Sequence, residues 1–220
     1  MKIVLINHSD TLGGASVVTR RLMHALRDIG HDAYMLVGRR LSDDPYVIQA
    51  APTWRTRIPF LAETARIYID NGFNRDDLFK VSLGSDGLPL SRHPLVRDAD
   101  AIILAWVNQG LLSLDEIERI GALGRPLLWI MHDLWCATAL CHHPATCTHY
   151  LRQSTHDSKE QGCHHCPMLH SRAAAKDASH RTWQRKKALY SNTPIRFVAV
   201  STWLAEKCRQ SSLMANADIH

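Results

Sequence analysis

Residues 1–37, MKIVLINHSDTLGGASVVTRRLMHALRDIGHDAYMLV, carry the main argument for the fold. Lys2–Asn7 is a short apolar run of the kind a strand buried on both faces requires. Thr11-Leu12-Gly13-Gly14 supplies a turn. Val18, Leu22, Leu26 and Ile29 then recur at a spacing that puts them close to one face of a helix. Gly30 fits the position just past a helix C-terminus, and Ala33–Val37 is a second apolar run. A strand, a helix and a strand in that order make a crossover, so the two strands are expected to be parallel.

The same alternation continues along the chain. Ser42–Pro52 reads as loop, Ile58–Ile69 as a helix with Ile58, Leu61, Ala65 and Tyr68 on one side, and Phe79–Leu83 as a short strand. Ala101–Val107 is a strand introduced by Asp98-Ala99-Asp100, Leu114–Ala122 a helix and Pro126–Met131 the next strand. Ala173–Tyr190 reads as a long basic helix, Ile195–Val200 as a strand and Thr202–Arg209 as a short helix. There is no internal repeat and no low-complexity tract. The pattern predicts one α/β domain with a Rossmann-like, doubly wound parallel sheet.

At 220 residues, 45% hydrophobic and 21% charged, the chain has the composition of an ordinary globular protein with a real core. A net charge of +5 and a pI near 9.0 favour an anionic partner: a membrane surface, nucleic acid or a phosphorylated substrate. Arg172, Lys176, Arg181, Arg185, Lys186 and Lys187 concentrate that charge between the cysteine-rich segment and the last strand. No signal-peptide core or membrane-spanning run is visible, so a cytoplasmic protein is expected, peripheral at most on the inner face of the membrane. In a reducing cytosol, clustered cysteines favour a metal or reactive thiols over disulfides.

Two strand ends attract the chemistry. Leu128-Trp129-Ile130-Met131 runs straight into His132-Asp133, and open parallel sheets place reactive groups where buried strands end. His132 can bond a sugar or phosphate oxygen and carry a proton; alternatively the His-Asp pair simply caps a loop. Gly13-Gly14-Ala15 opens a helix with bare backbone N–H groups, which suits a phosphate or carboxylate, or is only a tight turn. The three spaced glycines of a dinucleotide site are absent.

Cys136–Cys166 contains five of the six cysteines and six of the fourteen histidines. Cys141, Cys147, Cys163 and Cys166 run C-x5-C, fifteen residues, C-x2-C, a spacing that suits a structural zinc with sulfurs about 2.3 Å from the ion. Cys136, His142, His143, His164 and His165 are substitute ligands, and labile disulfides or unligated thiols are the alternatives. The loop reads as polar, with little to bury and therefore in need of a staple. Trp54, Arg55, Arg57, Ile58, Phe60 and Leu61 form a second basic-aromatic patch, suited to a membrane interface or to a partly buried helix start.

These residues together resemble a family. Met1-Lys2-Ile3-Val4 through Gly13-Gly14-Ala15, then Gly30-His31-Asp32-Ala33, is similar to the opening of retaining glycosyltransferases of family 4, which have the GT-B fold. Asp100–Leu104 with Trp106-Val107-Asn108, and Val198–Leu204, resemble later strands of that N-terminal domain. His132-Asp133-Leu134-Trp135, Cys141-His142, Cys147 and Gly162-Cys163-His164-His165-Cys166-Pro167 resemble the bacterial polysaccharide-building subgroup. Ala105 stands where the family often has His.

The resemblance implies transfer of a sugar, with retention, from a nucleotide-sugar to a glycan or a polyprenyl-diphosphate-linked acceptor. It implies that Gly13 and Gly14 approach the donor phosphates or the acceptor. His132 faces the transferred sugar, and Asn108 and Asp133 contact substrate on the same rim. Retaining transfer in this fold uses no obvious protein nucleophile, and the donor phosphate helps deprotonate the acceptor. His132 and the glycine amides then act by position and charge, with no catalytic metal. Residues 1–220 correspond to the single acceptor-side domain, with 134–170 as its cysteine-rich insertion. The donor-binding domain, with its paired glutamates, is expected beyond it, and this stretch alone is expected to be inactive. The rivals are a zinc-containing nucleic-acid-binding α/β module, favoured by the net charge of +5 and the cysteine cluster though sparse aromatics around Trp183 weaken a single-strand case, and a non-catalytic sugar- or lipid-binding domain.

Overall fold

In the computed structural model, residues 1–75, 78–153, 162–169 and 177–220 are described. The chain begins β1 (Lys2–Ser9), α1 (Gly13–Asp28), β2 (Asp32–Arg39), β3 (Val47–Gln49), α2 (Thr53–Asp70). A 3-10 turn (Leu90–Arg92), α3 (Pro94–Arg97), β4 (Ala101–Leu104), α4 (Leu114–Gly121) and β5 (Leu127–Met131) follow. The last elements are α5 (Ala178–Asn192), β6 (Ile195–Ala199), α6 (Thr202–Arg209) and β7 (Asp218–Ile219). Among the described residues the strands form one seven-stranded sheet, β3-β2-β1-β4-β5-β6-β7, with every neighbouring pair parallel.

Apolar runs make the middle of this sheet because both of its faces are covered. Val4, Ile6, Leu36, Ile102, Leu104 and Trp129 point to one side, where α4 contributes Ile117 and Ile120. Ile3, Leu5, Met35 and Val37 point to the other, against Met23 of α1. The strand order reverses between β1 and β4, and their C-terminal ends lie side by side on one edge of the sheet. That edge is where an open α/β sheet leaves a crevice.

The helices depart from the expected faces for identifiable reasons. α1 buries Ser16, Thr19 and Met23, while Val18 and Ile29 are exposed. The two hydroxyls tolerate burial because they donate to the helix's own carbonyls, Ser16 Oγ to Leu12 and Thr19 Oγ1 to Ala15. α2 starts five residues before its expected start and buries Pro59, Glu63 and Ile67; Ile58 and Leu61 face outward. Glu63 is inside because its carboxylate accepts three backbone N–H groups, from Leu83 (2.7 Å), Gly84 (2.7 Å) and Gly110 (2.8 Å).

Three further expectations are corrected. The segment expected as loop holds β3, a three-residue edge strand paired with β2. Phe79–Leu83 is not a strand of the sheet; Val81 makes an isolated antiparallel bridge to Cys141, so this segment binds the insertion instead. The insertion does not begin as a polar loop: Leu134–Cys141 is a buried run around Trp135 (2% exposed). A buried aromatic of this size is worth roughly 3–5 kcal/mol against alanine. The expected helix start at Ala173, with Arg172 and Lys176, lies outside the described residues; the described helix begins at Ala178 under an Asp177 cap.

Candidate functional site

Where β1, β2, β4 and β5 end, one cleft of about 820 Å³ opens. Gly13 and Gly14 form one wall and His132 and Asp133 another, so two sequence-selected strand ends meet on a single cavity. Gly13 adopts φ +81°, a left-handed conformation that side chains resist, and a Cβ on either glycine would meet nothing within 4 Å. α1 has no side-chain cap and no acidic residue in its first turn, so its leading N–H groups face the cleft unopposed. α4, α5 and α6, by contrast, are capped by Ser113, Asp177 and Ser201.

The junction beneath the cleft is built by Asn7, which is 1% exposed. Its Nδ2 donates to Ser16 Oγ (3.0 Å) at the start of α1, and its Oδ1 accepts the backbone N–H of Trp106 (2.8 Å) beyond β4. One side chain thus ties β1, α1 and the β4 exit together. His8, the next residue, packs edge-on against Trp106 with ring centroids 5.5 Å apart.

Asp133 is held from three directions. It accepts from the Trp135 backbone N–H (2.8 Å), Trp106 Nε1 (3.1 Å) and His142 Nδ1 (2.7 Å). Burial opposes its ionisation, yet these donors, with His142 first, hold its carboxyl below the usual range. Since a carboxylate only accepts, His142 Nδ1 donates, leaving Nε2 for Ser82 Oγ at 3.1 Å. This Ser-His-Asp line is not a nucleophile relay: Ser82 is 1% exposed, and neither it nor His142 lines the cleft. It braces Asp133, which therefore caps the loop and lines the cleft at once.

His132 is half-buried on the cleft wall, and its Nε2 has no hydrogen-bond partner among the described residues. His8 Nδ1 is likewise unpartnered. Burial lowers the pKa of both rings, so each is neutral near pH 7 and acts as a hydrogen-bonding group or base rather than a cation. The positive charge comes from Arg39 and Arg57, which line the same cleft, are exposed, and enter no ion pair among the described residues. Sequence reasoning missed Arg39 and His8, although each stands at or near the end of a strand as His132 does. Arg57 was assigned to a surface patch and instead faces the cleft.

Asn108 lies off the cleft: it is buried, its Nδ2 lacks a partner among the described residues, and Gln109 and Gly110 line the cleft beside it. These two residues take φ +54° and +76°, so the chain reverses there with Asn108 behind the surface. Gly110 cannot carry a side chain, because a Cβ would lie 2.4 Å from the Phe60 nitrogen of α2.

The cysteines form a separate centre. Cys141, Cys147, Cys163 and Cys166 line one small cavity of about 10 Å³, with His149 and His164 beside it. All six cysteines are free thiols. Burial pushes Cys163 and Cys166 up to about 12 and raises Cys141, so these thiols stay protonated without a metal. Among the described residues no three His, Cys, Asp or Glu side chains are already gathered as a metal-holding group. Cys136 is not on this cavity; it sits in the core, with Tyr190 Oη donating to its carbonyl (2.9 Å). His142 is bonded to Asp133 and His143 lines the cleft, and neither lines the cysteine cavity.

Much of the basic helix is engaged: Lys186 is buried, Arg185 pairs with Asp115 (2.5 Å) and Arg181 with Asp70 (3.7 Å), while Lys187 is exposed with its ammonium 4.9 Å over the Trp183 ring. No helix among the described residues is long and apolar enough to cross a membrane. Comparison of the chain with protein-family models, curated proteins and solved structures found no match.

Proposed function

We propose that the chain is the acceptor-side half of a retaining glycosyltransferase of GT-B type, in the family-4 subgroup that its sequence resembles. The observation that carries this reading is the shared cleft. Gly13-Gly14 at an uncapped helix start, His132 at a strand end, and two unpaired arginines, Arg39 and Arg57, all line it. Uncapped N–H groups and guanidinium forks suit a diphosphate, whether on a nucleotide-sugar or on a polyprenyl acceptor. A neutral His132 beside them suits a sugar hydroxyl. A second Rossmann-like unit of the enzyme would hold most of the nucleotide. No catalytic metal is needed for this reading, since the cleft's own cations and dipoles address the developing charge on the leaving phosphate.

The reading also gives the acceptor's lipid part a place. Trp54, Ile58 and Leu61 are exposed on α2, the helix whose Thr53, Thr56 and Arg57 line the cleft. A membrane held against these apolar side chains would present a lipid-linked diphosphate at the cleft mouth. The nucleic-acid reading, which rests on the net charge of +5 and the cysteine cluster, gains little from the basic helix, where Arg181 and Arg185 pair with carboxylates and Lys186 is buried.

The test is a transfer assay with the assembled enzyme, nucleotide-sugars and membrane-lipid extracts, read by mass spectrometry and by the anomeric configuration of the product. A glycosylated lipid or glycan with retained configuration supports the reading. Inversion, or simple phosphate hydrolysis without transfer, overturns it.

A further inference from the structure

The cysteine centre is not used by the proposed chemistry, and it has the makings of a metal site. The four thiols come from two stretches of the insertion and converge on one cavity of about 10 Å³. That is about the space of one water-sized occupant. None of the four is in a disulfide. The C-x2-C pair turns at His165, held at φ +44° with its backbone N–H donating to Asp177 Oδ2 (2.6 Å).

A second observation comes from below the cluster. Lys186 is completely buried, yet it enters no ion pair among the described residues. Its Nζ donates to the carbonyls of Trp135 (2.5 Å) and Thr138 (3.0 Å) and lies 3.3 Å over the Trp135 ring. The groups close enough to act on its charge include Cys136, Cys163, Cys141 and Asp133. Burial lowers its pKa to about 7, and negative charge nearby, on Asp133 and on any thiolate formed at the cluster, favours the charged form.

We propose that Cys141, Cys147, Cys163 and Cys166 bind one structural Zn²⁺ as four thiolates, and that Lys186 offsets part of the charge of that site. On binding, the four thiols release four protons to solvent and each sulfur donates one electron pair to the ion. The centre goes from neutral thiols to a complex of charge −2, with no change of oxidation state. The side chains must close further on the ion than they do in the metal-free arrangement. With four thiolates there is no open position for substrate, so the ion is a staple. What it staples is the cleft wall: Cys141 precedes His142, which holds Asp133. The inference stands apart from glycosyl transfer, because metal content is read without turnover.

The experiment is elemental analysis of the untagged chain purified in reducing, chelator-free buffer. About one equivalent of zinc is expected in the wild type and in Cys136→Ser/Cys208→Ser, and under about a fifth in Cys163→Ser/Cys166→Ser. Should the latter variant fail to fold, metal-stripped wild-type chain is titrated with Co²⁺. Strong sulfur-to-cobalt charge transfer with the visible bands of a tetrahedral four-thiolate site is then expected. Wild-type zinc well under about half an equivalent, zinc retained by Cys163→Ser/Cys166→Ser, or an octahedral cobalt spectrum would each overturn the assignment.

Discussion

His142 Nδ1 lies 2.7 Å from Asp133 Oδ2, joining the cysteine-rich insertion to the strand end that lines the cleft. The insertion is therefore not an appendage. Its first nine residues, Leu134–His142, are buried, and the last of them orients a carboxylate of the candidate site.

Asp133→Ala leaves three donors unanswered: Trp135 N–H, Trp106 Nε1 and His142 Nδ1. We expect a loss of about 3 kcal/mol in unfolding free energy, measured by urea denaturation. Ser82→Ala, which removes a single neutral hydrogen bond, should cost only about 1 kcal/mol. Equal and small effects for the two would show that Asp133 does not organise this wall.

Glu63→Gln tests the other wall. The carboxylate accepts from Leu83, Gly84 and Gly110, and an amide offers one acceptor oxygen in place of two. A destabilisation of about 2 kcal/mol is expected. Amide exchange should rise at Gly84 and Gly110 before the rest of the sheet opens. Unchanged exchange at those two sites would contradict the bracing role.

The fold was largely legible because its central strands are continuous apolar runs, and the structure has strands at β1, β2, β4, β5 and β6 where such runs stand. β3 and β7, three and two residues long, are too short to show any period. The faces of α1 and α2 were misread for a different reason. Ser16 is buried by bonds to Leu12 and Asn7 and Glu63 by bonds to Leu83, Gly84 and Gly110, and hydrophobic spacing carries no trace of such bonds. The same division holds at the site. Gly13, Gly14 and His132 could be found from strand and helix boundaries alone. Asn7 and His142 could not, since their roles rest on partners such as Trp106, 99 residues from Asn7.

Acid should weaken the fold in two stages. His8, His93 and His132 are held below the ordinary imidazole value, chiefly by burial. Below about pH 6.5 the unfolded chain takes up protons on these rings before the folded chain does. The unfolded state then binds more protons, so the contribution of these rings is full above that pH and falls as the pH drops toward the folded values, while Lys186, lowered by burial to about 7, adds a loss in the same direction at higher pH. Asp10, Asp133 and Asp177, held below the carboxylate range, add a second loss from about pH 4 downward. Urea midpoints from about pH 8 to about pH 5 should decline, and His8→Gln with His132→Gln should flatten the decline. A level wild-type profile would contradict the assignment.

Vesicle sedimentation checks the proposed membrane contact of α2. The protein should pellet with vesicles containing anionic lipid, less so at high salt. Trp54→Ser with Ile58→Ser and Leu61→Ser should reduce pelleting several-fold without altering thermal stability, since all three are exposed. Equal pelleting by the variant would remove α2 from the membrane contact.

The most direct test of glycosyl transfer at this cleft is the turnover of His132→Ala in the assembled enzyme, measured beside donor affinity and unfolding temperature. His132 lines the cleft with Gly13 and Gly14, and its Nε2 has no partner among the described residues. The substitution should lower turnover by about 10²-fold or more, with donor affinity and unfolding temperature close to wild type. Turnover left intact, or lost only in step with unfolding, would contradict the account and leave His132 a structural cap.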